Sequence, residues 1–228
     1  MEGNAELIFI AIVDVKVGQD EQAYGVLEKL RGDGVVTPLL IGRTFEGADV
    51  LLLFHSEEME ALDDYLIENV RSMVATEELV VIPVYEFTLL PSFDSVVELE
   101  SVHLEERSGE AFSGSGESLL FMARLDVSSG MDQEVHCAIL SIQHEGEDVI
   151  PLMSGHTFHS AEFDLVFFFL SKDLESAWGF GKFIRGINGV KDTDLSLIAH
   201  FEALVSLGEF RRLASSGRIL DAGRKGHE

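Results

Sequence analysis

Two tandem ferredoxin-like modules, each βαββαβ and closing on one another into a single α+β barrel, are the fold class this sequence predicts. Two observations carry that prediction. The same residues recur in the same order about 112 positions apart. Within each copy, apolar spacing switches between strand-like and helix-like periods in one fixed order.

Shifted by 112, Phe9-x-Ala11-x-x-Asp14-Val15-x-x-Gly18-x-Asp20 falls on Phe121-x-Ala123-x-x-Asp126-Val127-x-x-Gly130-x-Asp132. Shifted by 113, Pro38-Leu39-x-x-Gly42-x-Thr44-Phe45 falls on Pro151-Leu152-x-x-Gly155-x-Thr157-Phe158. After a small gap Asp49, Phe54, Ser56 and Glu60 meet Asp164, Phe169, Ser171 and Glu175, and Arg71 meets Arg185. Matches that keep their order through small gaps point to a duplication.

Each copy opens on a strand, with Phe9, Ala11, Val13 and Val15 or Phe121, Ala123, Leu125 and Val127 on one face. A helix follows, its stripe formed by Ala23, Val26, Leu27 and Leu30 or by Val135, Ala138, Ile139 and Ile142. Two strands come next, Val36–Phe45 with Asp49–His55, and Val149–Phe158 with Phe163–Leu170. The second helix is expected to start at an N-cap serine, Ser56 or Ser171. Its apolar positions are Leu62, Leu66, Val70 and Met73, or Leu174, Trp178, Gly181 and Ile184. A last strand closes each copy near Val80–Thr88 and Asp194–Ala203. Such a sheet carries both helices on one face and leaves the other bare, so two copies can cover each other as an internal pseudo-dimer. The modules are expected at residues 5–92 and 116–205, with a Gly/Ser-rich linker at 93–115. The segment 206–228 holds five of the sixteen basic residues and reads as a helix or tail that neutralises the acidic surface or docks an acidic partner.

Asp and Glu number 41 against 16 Lys and Arg, a net charge of −25, which repels phosphate backbones and anionic membranes. Direct nucleic-acid or membrane binding is therefore not expected. Cys137 is the single cysteine, so no intrachain disulfide forms; it stands beside the stripe of its helix and reads as inert packing. The N-terminus is acidic where a secretory signal would be basic, and the apolar run Leu7–Val13 is too short to span a bilayer. A soluble cytoplasmic protein is the expectation.

From Asp49-Val50-Leu51-Leu52-Leu53-Phe54 to Val70-Arg71, and from Phe163-Asp164 through Phe169 to Ile184-Arg185-x-x-x-Gly189-Val190, the chain resembles the effector-binding domain of the Lrp/AsnC regulators, one branch of the dimeric α+β barrel superfamily. Copy one has Ala48 where the family has an aromatic residue, and Glu46 and Ala161 stand in place of its glycine. The first strand begins near Leu7, which leaves no room before it for the family's helix-turn-helix. The resemblance implies an internal dimeric α+β barrel acting as a stand-alone effector-binding regulatory protein. Its effector would be a small polar metabolite such as an amino acid, held at the middle hairpins, with a homo-oligomer or a regulatory protein as partner.

Those hairpins supply the candidate ligand-binding residues Gly42, Arg43, Thr44 and Asp49, with Gly155, His156, Thr157 and Asp164. The glycines expose backbone amides while Thr, Arg and His supply donors. The opposing reading makes each glycine a bulge, each Thr a cross-strand pair, and each Asp a cap of its own hairpin. Arg71 and Arg185 fit either a ligand carboxylate or an internal ion pair. His156-x-x-His159, with His200 or His144, has metal-ligand spacing, but copy one offers Arg43 and Glu46 there, so a duplicated histidine metal site is not expected. No nucleophile–base pair stands out, and no catalytic residue, metal or cofactor is assigned. The rival to a binding module is a haem- or metal-dependent enzyme using the second copy, since the chlorite dismutase-like haem enzymes also carry two such modules per chain.

Overall fold

The computed structural model describes residues 7–44, 50–90, 92–93, 119–142, 148–157 and 163–216. Asp49, Phe45, Phe158, His159, His144 and nearly all of the expected linker lie outside them, as do the side chain of His200 and residues 217–228. The first half runs β1 (Leu7–Val15), α1 (Asp20–Leu27), β2 (Val36–Thr44), β3 (Val50–Ser56), α2 (Met59–Leu66) with a wider turn over Ile67–Arg71, and β4 (Thr76–Leu89). The second runs β5 (Leu119–Val127), α3 (Asp132–Leu140), β6 (Val149–Thr157), β7 (Leu165–Ser171), α4 (Leu174–Arg185) and β8 (Val190–Ala203), followed by α5 (Leu207–Ser216). Both halves are βαββαβ, as expected.

The strands form one closed antiparallel barrel in the order β1-β3-β2-β8-β5-β7-β6-β4. Each half contributes four neighbouring strands. The seams join β2 to β8, where Gly42 faces Phe201, and β4 to β6, where Tyr85 faces His156. Closure gives every edge strand a partner and leaves no free ladder.

Three apolar clusters follow. The barrel interior is filled from both halves by Ile10, Leu51, Leu53, Met122, Val166 and Phe168, with Phe210 and Leu213 of α5 joining it. The outer faces pack under α1 and α2 through Phe9, Leu52 and Phe54, and under α3 and α4 through Phe121, Phe167 and Phe169. The central strands are thus buried on both faces: β1 buries Ile8 and Ile10 as well as Phe9 and Ala11. A near-continuous apolar run replaces the one-faced alternation expected for β1.

Several local expectations are corrected. The N-caps of α2 and α4 are Glu58 and Asp173, not the serines two residues earlier, whose hydroxyls donate to the Glu58 and Asp173 carbonyls. The Asp173 carboxylate accepts from the Ser176 amide and so satisfies an open helix N–H. On α4 the buried positions are Ala177, Gly181 and Ile184, while Leu174 and Trp178 face outward. Cys137 is exposed rather than packed. The last strands begin earlier than expected, at Thr76 and Val190.

Candidate metal centre

At the β4–β6 seam the barrel wall is irregular for a local reason. The pairing register shifts between Tyr85 and Thr88, and Glu86, inside that bulge, has φ 51. A side-chain-bearing residue in the left-handed region costs about 1–2 kcal/mol, so surrounding contacts must hold it there. Gly155 lies against the bulge: a Cβ on it would stand 2.4 Å from Val84 Cγ1 and 3.4 Å from Phe87 Cα. The glycine lets β4 and β6 approach closely.

The next residue, His156, turns its side chain outward under α3, where it meets His136. The two imidazoles lie edge to face with centroids 4.3 Å apart, and they are only 3% and 2% exposed. Tyr85 stacks on the other side of His156 at 5.2 Å. Glu86 reaches in from the bulge, with Oε2 3.5 Å from His156 Nε2. One ligand atom from each of Glu86, His136 and His156 lies within 4.8 Å of the other two.

Burial, with a smaller contribution from His156, pushes His136 down to about 4. Burial also lowers His156, against the opposing pull of Glu86, Asp132 and Asp164. The contact with Glu86 is therefore not a true ion pair at neutral pH, because a sealed ring loses more by desolvation than these carboxylates return. Both rings are neutral, and neither Nε2 has a hydrogen-bond partner among the described residues. Buried polar atoms are rarely left so, and two neutral imidazoles beside a carboxylate suit a first-row divalent cation. Ligand bonds of about 2.1 Å put the three atoms roughly 3–3.5 Å apart, an inward movement of about an ångström for the longest pair.

The first half answers this place differently. Tyr24 of α1 stands where His136 stands, each the fifth residue of its helix, and Arg43 stands in β2 where His156 stands in β6. The Arg43 guanidinium lies 4.3 Å over the Tyr24 ring and donates to both oxygens of Glu21, at 2.7 and 2.9 Å.

The structure distributes the candidate hairpin residues as follows. Gly42 is a β2 residue paired with Leu51 and Phe201. Thr44 ends β2 with a buried hydroxyl that has no partner among the described residues. The Thr157 hydroxyl donates to the Phe163 carbonyl, and its amide donates to the Asp164 carbonyl at 2.9 Å. The Asp164 carboxylate accepts from the Val127 amide at 2.7 Å. Arg185 donates to the Thr193 carbonyl and pairs with Asp192 at 3.0 Å, the internal ion pair. His136 and Glu86 were not among the sequence candidates. The available signal was a histidine on the buried face of α3 where the other copy has Tyr24.

Neither a family model nor a curated protein matches this sequence. Solved structures do. A protein described as a "putative monooxygenase" from Fusobacterium nucleatum subsp. nucleatum superposes with TM-score 0.56 at 11% identity over 91% of this chain and 98% of its own. The siroheme decarboxylase NirDL gives 0.53 at 11% identity, over 94% and 79%. A chlorite dismutase variant from Candidatus Nitrospira defluvii gives 0.50 at 11% identity, over 95% and 96%. All three carry enzymatic descriptions, which overturns the expected stand-alone effector-binding regulatory protein. The polar groups are consistent with that correction, since Arg43, Thr157 and Asp164 are engaged within the chain.

A haem does not fit the imidazole pair. A macrocycle needs a cavity on the order of several hundred Å³ beside its axial ligand, whereas both rings are sealed against β4, β6 and α3. Carboxylates of Glu86, Asp132 and Asp164 around His156 would oppose haem propionates. The surface groove of about 440 Å³ lined by Asp14, Gly18, Asp20, Glu77 and Glu78 is acidic too. Among the described residues no helix is long and apolar enough to cross a membrane. Topology and superposition together show that this chain has the dimeric α+β barrel fold.

Proposed function

We propose that the protein is a metal-dependent enzyme whose centre joins His136 and His156 of the second module to Glu86 of the first, the modules spanning residues 5–92 and 116–205. One observation carries this: two sealed, neutral imidazoles, each with an unpartnered Nε2, bring one nitrogen apiece to within 4.8 Å of each other and of a Glu86 carboxylate oxygen. The enzymatic descriptions of proteins sharing the fold support it. The Lrp/AsnC resemblance is read as one of module shape rather than of role.

The cation would supply Lewis acidity and an activated water at its remaining positions. The residues do the rest. His136 and His156 offer lone pairs that no proton contests at neutral pH, because burial has already removed it. Tyr85 fixes the plane of His156 by stacking on it. Glu86, with a 46% exposed side chain, is the ligand nearest solvent and marks the side from which substrate arrives. Barrel wall and α3 exclude water from the histidine side.

Elemental analysis and a visible spectrum of the purified full chain test the proposal. About one equivalent of a first-row metal and no Soret band are expected, with the metal lost in His136→Ala. A Soret band, or metal content unchanged by that substitution, refutes it.

A further inference from the structure

We infer that equivalent helix and strand positions, Tyr24 with Arg43 and His136 with His156, form a cation place in each half, and that the first half has closed its own with the Arg43 guanidinium, so the chain takes one divalent cation and only the place at His136 and His156 is open to chemistry. The inference rests on the metal reading of the second module. Its own evidence is the correspondence between halves. Gly42-Arg43 face Leu51 and Val50, and Gly155-His156 face Val166 and Leu165, one register step apart in each hairpin. The partner is the fifth residue of the preceding helix in both, Tyr24 or His136. Guanidinium to ring is 4.3 Å in one half, and ring to ring is 4.3 Å in the other.

Charge makes the case for a missing cation. In the first half a permanent positive charge occupies the place and Glu21 neutralises it in a two-point contact. In the second half the same place holds the His136 and His156 rings, Gln133 stands at the position of Glu21, and Glu86 Oε2 lies 3.5 Å from His156 Nε2. The acidic surroundings persist while the positive charge has gone. Glu21 and Tyr24 are three residues apart on α1, so Glu21 with histidines at 24 and 43 would place a carboxylate and two imidazoles together.

The test is the full chain carrying Tyr24→His with Arg43→His, titrated with Co²⁺ and followed by visible absorbance beside wild type. Two equivalents are expected for the double variant against one for wild type, and adding His136→Ala should return it to one. A folded double variant that still binds one equivalent overturns the inference while leaving the second-module centre intact. Failure of that centre shows separately, as a wild-type chain that binds none. Should the double variant lose its cooperative melt, Arg43→Ala with methylguanidinium decides the matter. A saturable rise in midpoint over the same concentration of NaCl supports a cation site, and no difference overturns it.

Discussion

Acid should destabilise this protein in part through His136, and replacing it with tyrosine should remove that part of the acid sensitivity. The substitution is shaped for the place, since Tyr24 fills the corresponding position under α1. In the unfolded chain a histidine titrates near 6.5, and in the folded protein burial holds His136 at about 4. Between those values the unfolded state binds the extra proton, so unfolding becomes easier as pH falls. The contribution is fully present above 6.5, declines at about 1.4 kcal/mol per pH unit, and is exhausted near 4. The 2.5-unit difference amounts to roughly 3 kcal/mol. His156, also lowered by burial, adds in the same direction and stays in both proteins. Urea unfolding in chelator at steps from pH 7.5 to 4 gives the two stability curves. Carboxylates titrate in both chains and cancel in the difference. The difference should widen by a few kcal/mol toward neutral pH, in favour of wild type. Parallel curves would mean that His136 is hydrated or charged, and the sealed-pair argument would be lost.

Three further outcomes follow from the packing. Gly155→Ala places a methyl 2.4 Å from Val84 Cγ1 with Phe87 backbone behind it, and should cost about 1–3 kcal/mol, read as a midpoint several degrees lower. Gly179→Ala, in α4 with nothing within 4 Å of its added Cβ, should gain up to about 1 kcal/mol in the same melt. Phe168→Ala empties a fully buried position of the barrel interior and should cost about 3–5 kcal/mol in urea unfolding.

The architecture was legible because the apolar period of the elements followed the order βαββαβ in each half. Where expectation failed, tertiary burial had overridden a local rule. Serines before α2 and α4 looked like caps, yet their hydroxyls bond the carbonyls of Glu58 and Asp173, which take the N-cap place instead. Trp178 joined a helical stripe by spacing, but Gly181, whose Cβ would meet Leu195 at 2.6 Å, is where β8 presses on α4. The site was half legible. His156 was singled out, and partners were sought at His159, with His200 or His144. The groups that the folded chain brings beside it are His136, on the preceding helix, and Glu86, on the last strand of the first half. Only the β4–β6 closure brings Glu86 there, and no local pattern announces a seam between distant strands. The effector-binding reading went ahead of its rival, a haem- or metal-dependent enzyme, because the Gly-x-Thr hairpins drew attention to donors that the folded chain uses itself.

Cobalt titration of the metal-free full chain tests the central claim most directly, with wild type, His136→Tyr and His156→Ala followed in parallel. Wild type should bind one equivalent with visible bands characteristic of nitrogen and oxygen ligands, and both variants should lose that spectrum while still melting cooperatively. A wild-type chain that shows no such bands, or variants that titrate like wild type, would contradict a cation held by Glu86, His136 and His156.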